Sequence, residues 1–267
     1  MKLSGVLSLV NQVEKSKFIN AIDRISNDAV KHDKKIAAQL DKLDGQIKDA
    51  SSTDITQLFK IVLPHFEKSV REQLAMLGAQ ATLLTNILSR DGNCIARVNW
   101  IESLYAKEWA AIDTRANELK SGIETLEEGD VFTDGKRLGI YHACLQEAYC
   151  NDERSNRESK ITDDERGILN VLAKKLDVTA DDQAGIEHLI DKIPKNGVQE
   201  ALNALREIGL IFVSRKRQTV YVPDEIVNLL HRIQSKELAD KHFLRILRTF
   251  SDAELSNVLK NHRKKIR

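Results

Sequence analysis

The residues best suited to chemistry lie near the carboxyl end, in the run Ser214-Arg215-Lys216-Arg217-Gln218-Thr219. Leu210-Ile211-Phe212-Val213 and Thr219-Val220-Tyr221-Val222 flank it, each β-branched or aromatic and of strand length. A helical pattern precedes this hairpin, and Pro223 opens another helix after it. A cationic tip between two strands suits a surface that meets phosphates. Lys260 to Arg267 add five more Lys and Arg, including Arg263, Lys264 and Lys265. Cations at a helix C-terminus offset its dipole, but five in eight residues exceed that need and suggest a second phosphate contact. Residues 195–267 hold 15 Lys and Arg against 8 Asp and Glu, whereas residues 1–194 hold 26 against 32. A basic end on an acidic body predicts a module that faces a polyanion.

The remaining candidates carry no reaction. The seven histidines, His32, His65, His142, His188, His231, His242 and His262, form no HxxxH or HExxH pattern. His142 and Cys144 stand two apart and face different sides of a helix. Cys94, Cys144 and Cys150 are odd in number, with no CxxC, and read as reduced structural thiols. Neither GxxxxGK[ST] nor GxGxxG occurs, and Gly135-Lys136-Arg137 lacks the strand and glycine of a P-loop. Glu127, Glu128, Asp130 and Asp134 miss the spacing of a calcium loop. Trp100 and Trp109 are nine apart and read as core and boundary aromatics, not base-stacking platforms. The expectation is no catalytic residue, no metal, no cofactor and no enzyme activity.

Helices must position the cations. Of 267 residues, 42% are hydrophobic, 30% are charged, and only 3 are Pro and 12 Gly, a soluble, helix-favouring composition. Met1 to Val10 is mildly apolar but stops at Asn11 without a cleavage site, so no signal peptide is expected. No apolar run approaches the ~18 residues of a membrane span, and a cytoplasmic location is expected. Residues 5–50 read as helix throughout, with a seam at Ile36, Leu40, Leu43 and Ile47. Ala50 to Asp54 breaks it, with Thr53 or Asp54 as the next cap. Residues 54–90 carry the stripe Leu58, Val62, Phe66, Val70, with Pro64 expected to kink or divide the helix. Ser89 to Asn93 is a turn; a third helix covers about 94–126 and a fourth Leu138 to Tyr149. Asn151 to Lys160 contains no apolar residue and is the predicted domain boundary.

Beyond it, Thr162 and Glu165 form a capping box ahead of Ile168, Leu169, Leu172 and Leu176. Thr179 to Asp182 starts a second helix, with Ile186, Leu189, Ile190 and Ile193 inward. Val198, Ala201, Leu202, Leu205 and Ile208 line a third, which Gly209 ends. Helix, helix, helix, strand, basic turn, strand, helix is the order of a winged helix-turn-helix domain. The stretch LREIGLIFVSRKRQTVYVPDEI resembles the junction of recognition helix and wing in that superfamily. The resemblance covers residues 161–233 and implies that Gly197 to Ile208 is the recognition helix. It then implies roles for Gln199, Asn203 and Arg206 at base edges, for Lys195 and Asn196 at a phosphate beside the helix start, and for Arg215, Lys216 and Arg217 at the wing tip. Glu200 and Glu207 depart from a basic reading helix and favour wing-dominated backbone contact.

The expected fold is mainly α: an N-terminal helical bundle over residues 1–150, a winged helix-turn-helix domain over 161–233, and a basic helical tail over 234–267. The expected function is a non-enzymatic DNA-binding adaptor or regulator within a larger bacterial-type assembly, in transcription, chromosome maintenance or mobile-element defence. Duplex DNA would be held mostly through phosphates, and a protein partner or second copy through residues 1–150, with no membrane contact. The alternative is a scaffold or accessory subunit whose winged helix docks on protein.

Overall fold

The computed structural model describes residues 1–32, 51–90, 92–123, 133–150, 161 and 163–233. The seam Ile36 to Ile47, the acidic residues 127–130, the 151–160 linker, Thr162 of the capping box, and the tail with Arg263, Lys264 and Lys265 lie outside the described residues. The described chain is mainly helical with one small sheet, and no helix among the described residues is long and apolar enough to cross a membrane.

The amino end is two helices, α1 (Leu3–Leu9) and α2 (Gln12–His32), where one was expected. Val10 is extended at φ −90°, ψ 159°, and the Asn11 carboxamide accepts the Glu14 N–H at 3.0 Å, starting the second helix. Helix α3 (Ser52–Leu88) is capped by Ser51, not Thr53 or Asp54; Asp54 is the reciprocal partner in the box, its carboxylate accepting the Ser51 N–H at 3.0 Å. Pro64 does not break α3. The break is at Gly78, whose φ of 74° is left-handed and open at little cost only to glycine.

The predicted third helix gives up its first residues to a strand, β1 (Ile95–Arg97), before α4 (Val98–Gly122). Helices α5 (Asp134–Cys150), α6 (Asp163–Leu176) and α7 (Ala180–Ile190) follow, α7 opening on a Thr179–Asp182 capping box. Helix α8 (Val198–Glu207) ends as expected at Gly209, φ 79°. The Leu210 N–H reaches the Leu205 carbonyl at 2.9 Å and the Gly209 N–H the Arg206 carbonyl at 3.1 Å, which satisfies the last carbonyls of the helix. Strands β2 (Phe212–Ser214) and β3 (Thr219–Tyr221) form the hairpin, and α9 (Asp224–Ile233) starts after Pro223.

The sheet has three antiparallel strands in the order β1-β3-β2, not the two expected. Its third strand comes from a segment more than a hundred residues upstream, with Ile95 opposite Tyr221 and Arg97 opposite Thr219. One apolar core joins α1, α2, α3, β1 and the start of α4 to α8, the hairpin and α9. Phe18, Phe59, Phe66 and Phe212 pack at its centre, ring centroids 5.0 to 6.4 Å apart. Each such edge or tilted pair contributes about 1 kcal/mol beyond its burial. A second core, around Leu119, Tyr141, Leu145, Leu169, Leu176 and Ile186, joins the end of α4 to α5, α6 and α7. Helices α6 and α7 therefore pack away from the hairpin they precede in sequence, and helices on both sides of residues 151–160 share each core.

Candidate nucleic-acid interface

Register brings the polar residues to one end of the sheet. Arg97, Thr219 and Ser214 lie in a row across the three strands, on one face because directly opposite residues share a face. The turn Arg215 to Gln218 projects beyond that row. Its backbone is held internally: the Gln218 N–H and carboxamide N–H donate to the Arg215 carbonyl at 3.4 and 2.9 Å, and the Thr219 hydroxyl donates to the Arg217 carbonyl at 2.9 Å. The Gln218 carbonyl accepts the Val98 N–H at 2.9 Å and ties the turn to the start of α4.

These bonds use no cationic side chain, so the cations hold none of the turn together. Arg97, Arg215, Lys216 and Arg217 are exposed and have no ion-pair partner among the described residues. Four like charges at one sheet end raise the local potential and attract a polyanion. A cleft of about 330 Å³ lies beside them, lined by Leu9, Val10, Asn11 and Ser214 to Arg217.

The α8 candidates divide differently. Arg206 is buried, not presented to a ligand: its Nε donates to Glu14 Oε2 at 3.2 Å and its Nη2 donates to Glu14 Oε1. The hydrogen bond to Glu14 outweighs burial and raises the guanidinium above its already high value. Its Nη1 donates to Asn203 Oδ1 at 2.9 Å, so Asn203 is exposed with its carbonyl side occupied. The Gln199 carboxamide donates to Glu102 Oε1 at 2.7 Å. Glu200 is exposed, and Glu207 is paired with Lys17. The outward face of α8 is thus part acidic and part engaged with its own chain.

Lys195 and Asn196 are exposed on the turn that enters α8. The turn is fixed from below. Trp109 Nε1 donates to the Ile193 carbonyl at 2.8 Å, the Tyr105 hydroxyl donates to the Pro194 carbonyl at 2.8 Å, and the Ile193 N–H donates to His188 Nδ1 at 3.1 Å. Burial pushes the Tyr105 hydroxyl up to about 12, which keeps it a donor. Lys195 Nζ stands 5.3 Å from the centroid of the Trp109 ring, a cation–π contact. Trp109 is the boundary aromatic expected, whereas Trp100, expected in or beside the core, is 56% exposed on the first turn of α4.

Arg97 and Glu14 escaped the sequence reading. Arg97 lies in a three-residue strand absorbed into a helical pattern, and its role depends on pairing with β3. Glu14 is an ordinary surface-helix residue by pattern. The described residues contain no group of His, Cys, Asp and Glu that could hold a metal ion. No protein-family model, curated protein or solved structure matches this chain.

Proposed function

We propose that this chain is a non-enzymatic adaptor or regulator that grips duplex DNA through phosphates, using the β2–β3 turn as the wing of a winged helix-turn-helix. The three helices of that unit are the limb of α3 after Gly78, the start of α4, and α8, which share one core with the hairpin. The unit then differs in composition from residues 161–233: α5, α6 and α7 form an insertion between its second and third helices. The observation that carries the reading is the convergence of Arg97, Arg215, Lys216 and Arg217, exposed and unpaired among the described residues, at one end of the sheet.

Contact is dominated by the wing and not by base readout, because α8 offers Gln199 and Asn203 already bonded and two glutamates. The basic residues Arg263, Lys264 and Lys265 are proposed to add phosphate contacts. A protein partner or second copy on the amino-terminal helices would make the chain a subunit of a larger assembly, in transcription, chromosome maintenance or mobile-element defence. Gln199, Asn203 and Arg206 are engaged with their own chain, which favours a second reading, in which the wing docks on the acidic face of a protein.

The test is fluorescence anisotropy of a labelled duplex with the full chain over a salt series. DNA binding gives a log–log slope of several units, about 0.9 per phosphate contacted. Replacing Arg215, Lys216 and Arg217 by Ala weakens binding equally on unrelated sequences. No binding at ~50 mM salt would overturn the DNA reading and leave protein docking.

A further inference from the structure

Trp100 is the exposed residue that the fold least explains. Its neighbours Val98 and Ile101 turn into the core, while the indole is 56% exposed. It makes no ring contact or hydrogen bond with the described residues. Trp109, nine residues on, shows the alternative: its N–H is bonded to the Ile193 carbonyl at 2.8 Å and its ring lies under Lys195.

The place of Trp100 gives its exposure a use. Arg97 is the N-cap of α4 and Trp100 is its third residue. Between them, the Val98 N–H holds the Gln218 carbonyl at 2.9 Å, fixing this turn of helix against the wing. Arg97 sits opposite Thr219, one step from the Arg215–Arg217 turn. An exposed aromatic side chain therefore stands within one helical turn of Arg97, one of four cations at this sheet end that lack acidic partners among the described residues. Cations follow a phosphate backbone and an aromatic face stacks on a nucleobase, and the two together are what a single strand needs. A base inside a duplex is stacked on both faces and cannot reach such a ring; an unpaired base at a duplex end or fork can.

We infer that Trp100 is a stacking platform for an unpaired nucleobase, with Arg97 and the wing cations on the adjoining phosphates, so that the partner is a duplex running into a single strand. The inference rests on the nucleic-acid reading above and narrows it. Asn99 and Ser103, both exposed beside Trp100, leave the ring approachable from solvent.

The experiment compares a blunt duplex, the same duplex with an oligodeoxythymidine overhang, and free oligodeoxythymidine, each titrated into the full chain. The overhang duplex binds more tightly than the blunt one and quenches tryptophan fluorescence. Trp100→Ala loses that quenching and about thirtyfold in affinity for the overhang duplex, near the middle of the range for one stacked base. The same variant keeps its blunt-duplex affinity, and Trp100→Phe recovers part of the overhang preference. Equal binding of overhang and blunt duplexes, or a Trp100→Ala variant that keeps the preference, overturns the platform while leaving duplex binding intact. Binding to none of the three probes overturns the nucleic-acid reading with it.

Discussion

Glu14 and Arg206, 192 residues apart, form a buried ion pair that joins the amino-terminal helices to α8 and the wing. Glu14 Oε2 also accepts the Val213 N–H at 3.0 Å. β2 is an edge strand in the order β1-β3-β2, and an edge leaves N–H groups open to pairing with another chain. One carboxylate thus neutralises a buried guanidinium and closes the outer edge of the wing sheet. Glu14→Ala leaves Arg206 charged and buried, and should cost about 3–5 kcal/mol in urea unfolding. Glu14→Leu combined with Arg206→Met should be less destabilised than Glu14→Ala alone, because no charge is left unpaired. A loss below about 1 kcal/mol for Glu14→Ala would mean that solvent reaches the pair.

The same relationship predicts that the basic end is not an independent module. A fragment of residues 155–267 lacks β1, Glu14, Phe18, Phe59 and Phe66, all of which contact or line the core of the hairpin. It should show no cooperative thermal transition by circular dichroism, whereas the full chain should. A sharp transition in the fragment would show that the hairpin does not need the amino-terminal core.

Local structure was legible where a single segment determines it. The α8 stripe, its stop at Gly209, the two hairpin strands and the Thr179 cap rest on residues within a few positions of each other. Long-range relationships were not legible. Ile95-Ala96-Arg97 is too short to show an alternation and becomes a strand only beside β3. Arg206 sits on the α8 surface by periodicity, yet α2 covers it, and no spacing within α8 records that. No break was expected at Gly78, because Pro64 carried the stronger breaker signal in the same helix. The candidate site divides in the same way: Arg215, Lys216 and Arg217 are exposed as their turn required, whereas Arg97 and Trp100 gained their places from tertiary pairing.

Acid should loosen the α4–α7 packing. Burial opposes charge on Asp182, but hydrogen bonds from Thr179 and Arg115 outweigh it and hold the carboxyl below its ordinary 3.8. Arg115 Nε donates to Asp182 Oδ1 at 2.7 Å, and the Thr179 hydroxyl donates to Oδ2 at 2.7 Å. A carboxyl whose folded value is depressed adds stability that is fully present above its unfolded value. That stability is lost as pH falls through the folded value. Unfolding free energy measured in urea should therefore decline as pH drops below the ordinary carboxylate range. Asp182→Asn should be less stable at neutral pH, by about 1 kcal/mol for the cap alone, and should show a shallower acid decline. An unchanged acid profile in Asp182→Asn would assign the decline to other carboxylates.

Arg97 offers the sharpest separation between the wing surface and the rest of the basic residues. It is exposed on β1, opposite Thr219, and has no ion-pair partner among the described residues. If it contacts phosphate with the wing, Arg97→Ala should weaken duplex binding uniformly across sequences and lower the log–log salt slope by about one. Folding should be unaffected, because the side chain supports nothing beneath it. Arg206→Ala should do the reverse: it should lower the unfolding midpoint and leave the salt slope of the folded protein unchanged, since a buried, paired guanidinium releases no counterion from DNA. The pair of variants is decisive in anisotropy titrations run below the unfolding midpoint of each. A slope that falls with Arg206→Ala and holds with Arg97→Ala would move the binding surface off the sheet end and onto α8.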